Sequence, residues 1–199
     1  DVYKRQQEYT WPRPMGFEPF DHQRKTASFL VANHRAFCFN EQGTGKTASV
    51  IWGADQLMNA GIVKRVLIVC PLSIMQSAWQ ADLFKFAVHR SVDVAYGDAK
   101  KRAKIVLSKA QFVIINYDGL TTIADELLNN DCFDLVVIDE ANAYKNVQTK
   151  RWKLMHKLVR PSTRLWLLTG TPASQSPLDA YGLGRLCAPQ KAPRFFGDY

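Results

Sequence analysis

Six short runs rich in Val, Ile, Leu and Phe recur along the chain, at 36–39, 65–70, 92–96, 112–116, 135–139 and 164–169. Longer segments with helix-like apolar spacing lie around and between them, at 23–32, 46–59, 74–86, 99–109, 119–128, 147–159 and 177–186. Near-continuous apolar strands need cover on both faces, and strands alternating with helices point to a mostly parallel sheet flanked by helices, an α/β fold. The length of 199 residues fits one domain around a single core. No repeat or low-complexity tract interrupts the series. In sheets of this kind ligands sit at the carboxyl ends of the strands, and several of these runs end in small or polar residues.

The strongest local signal is Asn40-Glu-Gln-Gly-Thr-Gly-Lys-Thr47, which follows an apolar strand and opens a helix. That context is what a phosphate-binding loop requires. Gly43, Thr44 and Gly45 would turn backbone N–H groups inward around phosphates, and the helix N-terminus adds the positive end of its dipole. Lys46 would reach the β- and γ-phosphates of ATP, while the Thr47 hydroxyl would ligate Mg2+. Asn40 stands where the general pattern has its first glycine, which implies a locally different turn.

The second signal is Leu135-Val-Val-Ile-Asp-Glu140, an apolar strand that ends in two adjacent carboxylates. Neighbouring side chains on a strand point to opposite faces, so the two can serve different tasks. Asp139 would hold Mg2+ through water, and Glu140 would polarise an attacking water as general base.

Hydrophobic residues at 47% and charged residues at 22% exclude a disordered or collagen-like class. The apolar runs are too short to span a bilayer, so an intracellular protein without a membrane partner is expected, in the cytoplasm or associated with nucleus or nucleoid. A net charge of +8 suits a polyanionic partner. Basic residues gather at Lys100, Lys101, Arg102 and Lys104, and the stretch 141–164 holds no acidic residue. Cys38, Cys70, Cys132 and Cys187 lack the close pairs of a zinc site and are expected to be reduced core or near-core residues. His22, His34, His89 and His156 show no metal spacing. Trp79 and Trp166 fall in amphipathic or buried runs and are expected in the core.

At this point the chain resembles a known family. Asp139-Glu-Ala-Asn142 is similar to the DEAH-type box of superfamily-two helicases, and Lys145-Asn146 to the pair that Swi/Snf-type proteins place after it. Phe20-Asp-His-Gln23 resembles the upstream motif whose glutamine reads adenine. Val66-Leu-Ile-Val-Cys-Pro-Leu-Ser73, followed by Trp79, resembles motif Ia, Ile114-Ile-Asn-Tyr117 motif Ib, and Leu167-Leu-Thr-Gly-Thr-Pro172 motif III.

The resemblance covers residues 16–196 and implies a RecA-like P-loop NTPase lobe that binds ATP and Mg2+ and moves on nucleic acid, double-stranded DNA above all. It implies nucleic-acid contacts at Pro71, Leu72, Ser73, Asn116 and Tyr117, where free N–H groups and an aromatic ring would meet the phosphate backbone. Asn142, Thr169, Gly170 and Thr171 would couple hydrolysis to movement. Asn142 replaces the usual His, which puts the strength of that coupling in question.

Two other readings share these motifs: a strand-separating helicase of viral or restriction type, on DNA or RNA, and a nucleotide-dependent clamp with little turnover. A small-molecule kinase would carry the phosphate loop without Asp-Glu-Ala-Asn and Thr-Gly-Thr-Pro at these distances. Asp1 to Gln6 resembles translated sequencing-adapter DNA, and residues 1–15 are expected to be disordered or artefactual. Residues 16–199 are expected to form the ATP-binding lobe, and the second RecA-like lobe of the same polypeptide, with its arginine-bearing motifs, is expected beyond Tyr199.

Overall fold

A computed structural model describes residues 9–39, 45–170 and 177–190. The described residues form a six-stranded, all-parallel sheet of β1 (Arg35–Phe39), β2 (Val66–Cys70), β3 (Val92–Val94), β4 (Phe112–Asn116), β5 (Leu135–Ile138) and β6 (Arg164–Thr169), in the order β1-β6-β5-β2-β4-β3. The expected α/β class with a parallel sheet is what the structure shows. Register pairs Val66 with both Phe112 and Leu135, and Phe39 with Thr169, so the strands start and end nearly level. Parallel pairing then collects their carboxyl ends on one edge.

Alternation along each strand divides the core in two. Val66, Ile68, Cys70, Ile114, Val137, Trp166 and Leu168 face α1 (Asp21–Ala32), α2 (Lys46–Asn59) and α3 (Ala81–Phe86). Leu67, Val69, Ile115, Val136, Ile138 and Leu167 face the other layer. That layer is α4 (Ala99–Val106), α5 (Tyr117–Thr122), α6 (Ala124–Asn129), α7 (Lys150–Leu158) and α8 (Pro177–Cys187). Burial on both faces explains why the strands read as unbroken apolar runs.

Two helices differ from the expected spans. The segment 74–86 is a 3-10 turn (Leu72–Ile74), a π-helical turn (Met75–Gln80) and then α3, in place of one helix. Segment 119–128 is broken into α5 and α6 at Ile123, a fully buried residue with φ −123° and ψ 33°. Leu120, Ile123 and Leu127 are all buried at helical spacing, so the pattern alone did not show the break.

The amino-terminal segment also departs from expectation. From Tyr9 onward it is packed: the Tyr9 hydroxyl donates to Asp55 Oδ2 at 2.6 Å, the Trp52 indole N–H donates to the Pro12 carbonyl at 2.8 Å, and Trp11 meets Trp52 edge-on. Residues 1–8 lie outside the described residues. Asp55, wholly buried on α2, also accepts from Arg90 Nε at 2.6 Å and lies 2.8 Å from His89 Nε2. A buried carboxylate is tolerated only with such partners.

Candidate functional site

The carboxyl edge of the sheet brings the motif residues together. β1 leads to the phosphate-loop string, of which Asn40, Gly43 and Thr44 lie outside the described residues, and Gly45 opens α2. Gly45 adopts φ +73°, and a Cβ there would fall 2.1 Å from Gln23 Nε2. The left-handed backbone calls for glycine, and a side chain there would displace the end of Gln23. Gln23 is 4% exposed and its Oε1 accepts the Phe20 N–H at 3.0 Å. Its amide is thus lodged between the start of α1 and the base of the phosphate loop.

Lys46 and Thr47 form the first turn of α2. Burial pushes the Cys38 thiol pKa up, Lys46 opposes that shift and Asp139 adds to it, so Lys46 and Asp139 both act on the same point at the end of β1. The lysine that opens α2 and the aspartate that follows β5 thus lie on the same carboxyl edge of the sheet.

Asp139 follows β5, half-buried, and its N–H donates to the Val69 carbonyl at 2.9 Å. Its Oδ1 accepts the Glu140 N–H and its Oδ2 accepts the Trp79 indole N–H, each at 2.9 Å. Glu140 has φ 49° and ψ 57°, a left-handed conformation that costs a non-glycine residue about 1–3 kcal/mol. Strain of this kind collects at functional sites because it re-aims a side chain. Asn142 lies on the 3-10 turn Ala141–Tyr144 that follows.

Of the residues expected to meet nucleic acid, Leu72 and Ser73 are exposed and Pro71 is half-buried, on the turn after β2. Asn116 and Tyr117 are drawn inward. Asn116 is 7% exposed, and its Oδ1 has no hydrogen-bond partner among the described residues. The Tyr117 hydroxyl donates to the Asp139 carbonyl at 2.5 Å, and its ring lies under the Arg151 guanidinium at 5.0 Å. Burial, and after it the Asp139 charge, raises the Tyr117 pKa far above the ordinary range, so the phenol stays protonated as a donor. Thr169 ends β6 fully buried, Gly170 follows half-buried, and Thr171 lies outside the described residues.

Trp79 is the residue that sequence reasoning placed in the core without a further role. It is fully buried, as expected, and it also holds the strand-end carboxylate. Its signals in the sequence were an N–H-bearing ring in an otherwise apolar stripe and its place after the string that resembles motif Ia.

A parallel sheet with a glycine-bearing loop, a lysine at a helix start and two strand-end carboxylates on one edge defines a RecA-like nucleotide-binding lobe. The chain belongs to the SNF2-related domain family, whose model matches residues 22–195. It is 29% identical over 175 residues to the p41 protein of Acyrthosiphon pisum secondary endosymbiont phage 1, covering 83% of this chain and 38% of that protein. It is 28% identical over 176 residues to a Bacillus subtilis protein named uncharacterized ATP-dependent helicase YqhH, covering 87% and 30%. The fold matches the Sulfolobus solfataricus SWI2/SNF2 ATPase core in complex with dsDNA with a TM-score of 0.78, at 26% identity, over 92% of this chain and 38% of that one. The chain thus spans less than two fifths of each of these relatives.

Proposed function

We propose that this chain is the ATP-binding lobe of a DNA-dependent ATPase that translocates on or remodels duplex DNA. The observation that carries the reading is the placement of Lys46, Asp139 and Glu140 on one sheet edge, in a chain whose fold matches an ATPase core in complex with dsDNA. Gly43, Thr44, Gly45 and Lys46 cradle the phosphates, and Gln23 is placed beside that cradle. Thr47 and Asp139 offer the hard oxygen donors that Mg2+ takes, one from a helix start and one from a strand end. Mg2+ bound there would neutralise charge between the β- and γ-phosphates. Glu140, turned by its left-handed backbone, acts as general base on water. Leu72 and Ser73 present the turn after β2 to the nucleic-acid backbone, with Pro71 shaping it.

Phosphoryl transfer also needs positive charge on the γ-phosphate oxygens, which a facing arginine supplies at roughly 10³- to 10⁵-fold in rate. The strand-flanking arginines Arg35, Arg65 and Arg164 are committed to carbonyls at the opposite edge of the sheet. Arg151, which lies over Tyr117 at the carboxyl edge, is paired with Asp118, and we assign the charge on the γ-phosphate oxygens to a second lobe. Phosphate release measured on the 199-residue chain, with and without duplex DNA, is expected to be negligible, and to appear with DNA stimulation once a second lobe is supplied. Glu140→Gln in the two-lobed protein should keep nucleotide binding and lose turnover by about 10²- to 10⁴-fold. Turnover at the unsubstituted rate in that variant would refute the assignment of Glu140. Triplex displacement without duplex unwinding is the expected mode, and unwinding would instead favour a strand-separating helicase.

A further inference from the structure

Asp139 is held from the turn after β2, which the proposed function turns toward nucleic acid, and from the end of β4. The turn after β2 runs from exposed Leu72 and Ser73 through the π-helical turn Met75–Gln80 to Trp79, whose indole N–H donates to Asp139 Oδ2 at 2.9 Å. The end of β4 runs through Asn116 to Tyr117, whose hydroxyl donates to the Asp139 carbonyl. One bond fixes the side chain and the other the backbone of the same residue.

Three physical points favour a functional reading of the tryptophan. Trp79 is fully buried and its indole has a single N–H, so its only polar direction is the one aimed at the carboxylate. An indole is neutral, so it orients Asp139 while leaving the full negative charge for a cation, where Lys or Arg would neutralise it. Each carboxylate oxygen also keeps a second acceptor site beside the bond it already makes. Lastly, π-helical turns are rare and frequently occur at functional sites, and this one carries the residue that bonds Asp139.

We infer that Trp79 is a positioning residue: it sets the orientation of the Asp139 carboxylate for Mg-nucleotide and transmits to it the engagement of nucleic acid at Leu72 and Ser73. The inference rests on the proposed function for its ligands and on the Trp79–Asp139 bond for its geometry. Outer-shell partners of metal-binding groups change metal affinity or activity by about 10- to 100-fold when removed.

The test uses the 199-residue chain and two readouts other than turnover. In ¹H–¹⁵N spectra the indole resonances of its five tryptophans are assigned through bonds, without nucleotide. Asp139→Asn should shift the Trp79 indole signal, and Asp118→Asn, on the surface, should not. Duplex DNA added to the unsubstituted chain should shift the same signal. In the second readout, Mg2+ is titrated against a fluorescent ATP analogue. Trp79→Phe should need about 10- to 100-fold more Mg2+ for half-maximal binding, with affinity for the metal-free nucleotide unchanged. A Trp79 signal indifferent to Asp139→Asn overturns the inference even if Trp79→Phe fails to fold. Normal nucleotide binding with an unaltered Mg2+ requirement in Trp79→Phe overturns it too and spares the proposed function, whereas no nucleotide binding by the unsubstituted chain refutes the proposed function itself. A Trp79 signal unmoved by DNA that demonstrably binds overturns the transmission and not the positioning.

Discussion

The two edges of the sheet are built on opposite rules. At the amino edge guanidinium groups close the structure: Arg35 donates to the Leu186 and Arg160 carbonyls, Arg65 to those of Ala110, Cys132 and Val106, and Arg164 to those of Val31 and Asn33. At the carboxyl edge the backbone is strained at Glu140 and left-handed at Gly45, and Asn116 Oδ1 is buried without a partner among the described residues. Arginine acts as a structural clamp at one edge, where five N–H donors can satisfy several carbonyls at once. At the other edge the Asp139 carboxylate is held by the Trp79 indole N–H and the Glu140 backbone N–H, with no guanidinium on it among the described residues. Charge alone therefore does not mark the site, because some of the most committed arginines are the farthest from it.

The sharpest way to break this contrast is at Lys46. Lys46→Ala removes the charge proposed to meet the β- and γ-phosphates and should weaken Mg-ATP binding by about 100-fold or more, with thermal stability nearly unchanged. Titration calorimetry beside a melting curve reads both, and a large fall in Tm with intact affinity would make Lys46 an amino-edge type of residue. Arg65→Ala is the converse. It strands several carbonyls and should cost about 3 kcal/mol, lowering Tm by roughly 6–12 °C, while nucleotide affinity holds. The smallest effect is expected at His34, beside Ser162 at the amino edge. Burial and then the Arg164 charge hold its pKa below the usual 6.5. The unfolded chain takes up that proton first, so stability falls as pH drops through about 6.5 and levels off below the folded-state pKa. His34→Gln should flatten that part of the stability–pH curve, and an unchanged slope would show that another group sets it.

How much of this was legible in sequence depended on distance along the chain. All six strands were readable, because burial on both faces leaves a local mark in every residue of a strand. The Gly45–Lys46–Thr47 and Asp139–Glu140 placements were readable for a similar reason, since each needs only a strand end or a helix start nearby. The π-helical turn was not. Met75, Trp79, Leu83 and Phe86 are buried at spacings that suit an ordinary helix, so periodicity could not register the added residue. Nor could it pair Trp79 with Asp139 sixty residues on. Tyr117 was readable as a strand-end aromatic, but its hydroxyl reaches past β2 to the end of β5, two strands away, which only strand order decides.

The packing of Tyr9 and Pro12 on α2 bears on where this lobe begins. Similarity to the family starts at residue 22, yet Trp52 and Asp55 take hydrogen-bond partners from residues 12 and 9. Both sit on the helix that Lys46 opens. Trimming the chain to the residues that the family model matches would leave an indole N–H and a buried carboxylate each short of a partner, and would loosen from behind the helix that Lys46 opens.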